Sequence, residues 1–158
     1  MANAQPESGS ITIMGSAPRT RDRRVSFIQE HPARTMLFPD LSVVDNLCFM
    51  ADGRVPHIWS DSRMKDSIIQ EYTGRLGNAI HSPNLIGLPE KFLYELVYCR
   101  VMLQRPALVI CSQPFEGADM YQRARIISLL DELGTQGIAT LILAVDLSDS
   151  LETAHRLL

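Results

Sequence analysis

Two apolar runs of strand length constrain this chain most: Ala-Leu-Val-Ile-Cys at 107–111 and Ala-Thr-Leu-Ile-Leu-Ala at 139–144. A strand with one wet face alternates apolar and polar residues. A run that is apolar at nearly every position asks for cover on both faces, the habit of parallel strands. Between the runs, Pro114 and Gly117 mark a loop. Ile126, Ile127, Leu130 and Leu133 then recur at helical spacing before Gly134 and Gly137. Strand, helix and strand in this order define a parallel α/β unit with right-handed crossovers. A closing helix is expected over 148–158.

Upstream, the 158 residues leave room for one domain. Residues 1–10 are small and polar and read as a flexible leader, with the single domain occupying 11–158. A short strand is expected at 11–14, ended by Gly15. An arginine-rich connector leads to a second strand at Val25 to Ile28, which gives way to a loop through Leu37, Phe38, Pro39 and Asp40. Ser42 is placed to cap a helix through Val43, Val44 and Leu47, with Asp45 completing a variant capping box. Met64, Ile68, Tyr72 and Leu76, four apart, share one helical face that Gly77 can stop. Residues 92–103 are apolar on nearly every side and predict a buried helix, ended by Arg105 and Pro106. The stretch 42–104 is thus a helical insertion before the α/β unit.

Composition excludes several classes. With 46% hydrophobic and 21% charged residues the chain is neither disordered nor fibrous. Its net charge is −3, and its basic residues cluster only at Arg19, Arg21, Arg23 and Arg24, too narrow a patch for nucleic acid. Cys48, Cys99 and Cys111 form no CxxC pair and read as buried free thiols in a reducing compartment. No stretch reaches the roughly 18 apolar residues of a membrane span, and the start has no apolar signal core. The expected location is the cytoplasm. His31, His57, His81 and His155 lack the spacing of a zinc site, and His31 reads as a surface-loop residue. Trp59 lies in a Pro/Asp/Ser-rich turn and reads as a plug over the helical layer.

Several segments resemble, in order, the ATP-binding domain of ATP-binding-cassette (ABC) transporters. Val25-Ser26-Phe27-Ile28-Gln29-Glu30 is similar to the strand and glutamine of the family's Q-loop. Leu37-Phe38-Pro39-Asp40-Leu41-Ser42-Val43-Val44-Asp45-Asn46-Leu47 is similar to the stretch after it and is the most specific signal. Cys99-Arg100-Val101-Met102-Leu103-Gln104-Arg105-Pro106 looks like the helix after the signature motif. Residues 107–114 take the place of the Walker B strand and its proline. Phe115-Glu116-Gly117-Ala118-Asp119 resembles the D-loop, and residues 141–147 the H-loop strand. The wording is especially close to the tail halves of simple-sugar importer ATPases. The resemblance covers essentially the whole chain from Ser10, and implies an α/β fold with a partial P-loop NTPase-like parallel sheet.

The resemblance also implies which positions would do chemistry, and most hold the wrong residue. The phosphate cradle G-x-x-x-x-G-K-S/T is absent from the sequence, and neither lysine, Lys65 or Lys91, has glycine spacing around it. The signature L-S-G-G-Q falls on Leu88-Pro89-Glu90-Lys91-Phe92. Only the leucine matches, and Glu90 would repel a phosphate. Ser112 stands for the magnesium-binding aspartate, Gln113 for the catalytic glutamate and Val145 for the H-loop histidine. A hydroxyl and an amide lack the negative charge that magnesium and a general base require. Gln29 and Asp119 keep the family identities. Their structural alternatives are a loop glutamine and a helix N-cap.

The sequence therefore predicts a protein-binding component of an ABC transport system that neither binds nor hydrolyses ATP. Its partner surface is expected at Gln29, Leu37, Phe38, Pro39 and Leu41. No cofactor is expected, and ATP with magnesium only if a partner chain completes the site. The alternative is a fragment of an ATPase that couples ATP hydrolysis to solute import once completed. Expected partners are a second copy, another ABC ATPase subunit, or transmembrane subunits at the inner face of the membrane, and no nucleic acid.

Overall fold

The computed structural model describes residues 24–49 and 62–145, together with Thr12, Gly15, Ser16, Ala154 and His155. The strands expected at Val25 to Ile28, 107–111 and 139–144 form as β1 (Val25–Ile28), β2 (Leu108–Ser112) and β3 (Ala139–Leu143). They pair in the order β1-β2-β3, all parallel. The register aligns Val25 with Leu108 and Ala139, and Phe27 with Ile110 and Leu141.

The helices are α1 (Pro32–Thr35), α2 (Val43–Cys48), α3 (Ser62–Leu76), α4 (Glu90–Gln104) and α5 (Met120–Thr135), with a 3-10 turn over Gly77–His81. Helix α2 starts as expected: the Ser42 hydroxyl accepts from the Asp45 N–H at 3.0 Å and donates to the Asp45 carboxylate at 2.6 Å. On α3, Ile68, Tyr72 and Leu76 are buried. Helix α4 is buried at every residue from 94 to 102 and ends at Arg105, whose left-handed backbone (φ 47°) precedes Pro106.

Two apolar clusters form. Leu37, Val43, Leu47, Ile68, Tyr72, Leu76, Ile80, Leu96 and Val97 build a helical layer. Ile28, Tyr98, Val101, Val109, Cys111, Ile126, Leu129 and Leu133 build the α/β core, in which α4 and α5 cover one face of the sheet. Cys48, Cys99 and Cys111 are buried free thiols.

Some expectations need correction or fall outside the described residues. The apolar runs implied cover on both faces of the sheet. Val25, Phe27, Leu108, Ile110, Leu141 and Leu143 belong to neither cluster and stay partly or fully open, Phe27 at 41% and Leu143 at 51% exposure. Helices α4 and α5 both lie on the other face because right-handed crossovers that step through the sheet in one direction put every helix on the same side. The closing helix expected at 148–158 is not seen at Ala154 or His155, which are exposed and non-helical, and its other residues lie outside the described set. The leader, the strand at 11–14 apart from Thr12, the turn with His57 and Trp59, and Arg19, Arg21 and Arg23 also lie outside it.

Candidate functional site

In an open parallel sheet the carboxyl ends of the strands are where loops converge, and ligands bind there. Here β1 ends at Ile28 and hands on to Gln29, Glu30 and His31. Gln29 is exposed, and its N–H donates to the Met36 sulfur at 3.4 Å. His31 adopts a left-handed backbone (φ 48°), turning the chain into α1, where Pro32 occupies the first turn.

Strand β2 ends at Ser112, and Gln113 is also left-handed (φ 46°). Its N–H donates to the Leu143 carbonyl on β3 at 2.8 Å, and its side-chain amide donates to Glu30 Oε2 at 3.3 Å. His31 Nε2 stands 3.5 Å from Glu30 Oε1, and its ring lies so near Gly117 that a Cβ there would sit 3.4 Å from it. Two non-glycine residues in a costly backbone region, His31 and Gln113, thus follow neighbouring strands, each with its side chain near Glu30.

The structure brings Gln29 beside Ser112 and Gln113 through this β1–β2 pairing. Val145 lies two residues past Leu143 at this same edge of the sheet, whereas the signature-like residues and Asp119 lie elsewhere. Val145 follows β3 and is 87% exposed. Leu88, Pro89, Glu90, Lys91 and Phe92 form the start of α4, where Pro89 is the N-cap without a side-chain bond, and Phe92 packs into the helical layer. Asp119 caps α5, its carboxylate accepting from the Gln122 N–H at 2.8 Å.

The loop after α1 is held from three directions. The Arg100 guanidinium, 3% exposed, donates to the Met36 carbonyl at 2.7 Å; burial lowers its pKa to about 10. Asn46, fully buried, accepts from the Phe38 N–H at 2.8 Å. Its amide faces the carbonyls of Phe38, Leu41 and Ser42 at 2.9, 3.2 and 3.0 Å. The Leu85 N–H donates to the Pro39 carbonyl at 2.8 Å.

This clamp presents Phe38, 39% exposed and packed at a tilt against Phe49 with ring centroids 4.1 Å apart, next to exposed Pro39 and Asp40. Ile86, 70% exposed, neighbours them through the Leu85–Pro39 bond. Leu37 is 7% exposed and packs in the helical layer, so its side chain supports the loop from beneath; Leu41 is half-buried.

Sequence reasoning did not single out Asn46, Glu30 or Arg100 as organisers. A fully buried asparagine one turn after a cap is readable only once its loop partners are known. Arg100 left a signal: a guanidinium inside an otherwise apolar helix.

These elements define a class first: an α/β chain with a three-stranded parallel sheet and a helical layer. The solved structure of cbiO1 from Clostridium perfringens, part of the ABC transporter complex cbiONQ, matches with a TM-score of 0.74 at 17% identity, over 96% of this chain and 62% of that one. No protein-family model matches the sequence.

Among curated proteins, a Streptomyces avermitilis protein with a provisional ABC transporter ATP-binding name is 27% identical over 156 residues. The Fe(3+) ions import ATP-binding protein FbpC 2 of Pectobacterium atrosepticum is 26% identical over 160 residues, and the ribose import ATP-binding protein RbsA 2 of Rubrobacter xylanophilus 25% over 166. Each alignment takes in 96% of this chain, but only 26%, 44% and 31% of the respective relative. In sequence and in fold, this chain is like the ATP-binding domain of ABC transporters. Among the described residues, no helix is long and apolar enough to cross a membrane.

Proposed function

We propose that this chain is a catalytically degenerate ABC ATP-binding-domain-like protein that works by binding a protein partner through the clamped loop carrying Phe38 and Pro39. The observation that carries this reading is the end of the central strand. By the resemblance, Ser112 and Gln113 take the positions of two carboxylates of ATP chemistry, and the amide of Gln113 is turned to Glu30. A hydroxyl and an amide at those two positions do not supply the carboxylate charge that holds a magnesium nucleotide or the base that a hydrolytic water needs. No step through ATP is therefore assigned.

The loop retains what recognition needs, an apolar tip fixed in one conformation before binding. Its partner is a second copy, another ABC ATPase subunit or a transmembrane transporter subunit, reached from the cytoplasm at the inner face of the membrane. Isothermal titration of the chain with Mg-ATP tests the reading. No heat of binding is expected, and micromolar affinity for the isolated chain would overturn it.

A second reading is favoured by the chain's spanning only 26% to 44% of these relatives' length. In it, the chain is one part of an ATPase that another polypeptide segment completes. ATP turnover by a reconstituted complex, abolished by Gln113→Ala, would select this reading over the first.

A further inference from the structure

Helix α4 belongs to both apolar clusters: Leu96, Val97 and Cys99 face the helical layer, whereas Tyr94, Tyr98, Val101 and Met102 face the α/β core. At the seam between these faces sits Glu95, only 7% exposed. One of its oxygens accepts from Arg75 Nε, delivered by α3 of the helical layer. The other accepts from Arg125 of α5, through Nε at 2.9 Å and through a second guanidinium nitrogen. Arg75 forks further onto Glu132 of α5, one of its two bonds measuring 2.7 Å.

Two arginines and two glutamates from three helices thus cancel in charge and satisfy one another, the condition under which buried ions are tolerated. We propose that Arg75, Glu95, Arg125 and Glu132 form an ionic latch that fixes the angle between the helical layer and the α/β core. Apolar contact is non-directional and permits small rotations about α4, whereas forked guanidinium–carboxylate bonds are specific in distance and plane. Burial works against the charge on Arg75, yet hydrogen bonds to Glu132 and Glu95 hold its pKa above the ordinary arginine value. The outer half of the latch is reachable by solvent, with the Glu132 side chain 34% and the Arg125 side chain 36% exposed, so it can open without unfolding either cluster.

The test uses nitroxide pairs at Thr73→Cys on α3 and Ser128→Cys on α5, both exposed positions, in the full chain with its buried native thiols unlabelled. With the latch intact, one narrow inter-label distance is expected. Glu132→Gln is expected to broaden or shift it while helix content and melting stay near the parent's. Glu95→Gln, which removes the carboxylate shared by Arg75 of α3 and Arg125 of α5, is expected to speed amide exchange in both helices by about tenfold or more, with β2 much less affected. Unchanged distance distributions in the variants overturn the latch, as does an equal rise of exchange in α3, α5 and β2, which marks plain loss of stability. Should Glu95→Gln fail to fold, the Glu132→Gln distances decide alone.

Discussion

Replacing Asn46 with alanine isolates the cost of the loop clamp. The Asn46 amide has two protons for three carbonyls, those of Phe38, Leu41 and Ser42, and its oxygen takes the Phe38 N–H. Three hydrogen bonds are therefore made at any instant. At about 1 kcal/mol net each the loss is about 3 kcal/mol, a large share of the roughly 5–15 kcal/mol that holds a typical domain together. With a urea slope of about 2 kcal/mol/M, the unfolding midpoint should fall by about 1.5 M.

Asn46→Asp sharpens the test. The carboxylate keeps the acceptor for Phe38 N–H but turns negative charge toward three carbonyls in a fully buried site, so its folded-state pKa lies above the unfolded value. A raised folded pKa gives a stability contribution present at low pH and lost as pH rises through the folded value. The variant should accordingly lose ground to the parent between acid and neutral pH. Equilibrium urea melts by circular dichroism measure both. A loss below about 1 kcal/mol for Asn46→Ala, or no growing deficit with pH for Asn46→Asp, would refute the assignment of Asn46 as the clamp.

Burial raises the thiol pKa of Cys48 to about 11 and of Cys99 and Cys111 to about 12, from an ordinary 9.0. Raised folded values make their contribution complete below pH 9 and progressively lost toward pH 12, so stability should decline over that window, and a disulfide reagent at pH 8 should label all three only on unfolding. Leu37→Ala, at 7% exposure, should cost about 2–5 kcal/mol in denaturant melts. Phe38→Ala, at 39% exposure, should cost far less stability and instead weaken capture of the partner; equal losses would contradict the division between support and contact surface.

Local signals were sufficient for much of this architecture. The Ser42–Asp45 cap, the α3 stripe and the apolar runs of β2 and β3 are decided within a few residues, and all appear. The three-helix charge network was not visible in the sequence, because Arg75 and Glu132 are 57 residues apart and nothing local links them. The left-handed backbone of His31 and Gln113 was equally hidden, since neither is a glycine. The two-sided burial inferred for the sheet failed for a different reason. An apolar run reports that a face wants cover, but not which segment supplies it.

The two-faced helix α4 also bears on the order in which the chain can fold. Emerging from a ribosome, α2 and α3 appear first, yet the pocket for Ile68 and Leu76 is incomplete until Leu96 and Val97 arrive. The core strand β2 follows α4 directly and needs Tyr98 and Val101 on its face. Neither layer can close ahead of this one helix, so docking of α4 is the commitment step that couples them. A polar substitution at Val97 strikes the helical layer and one at Val101 the α/β core, each on the helix that both layers need in order to close.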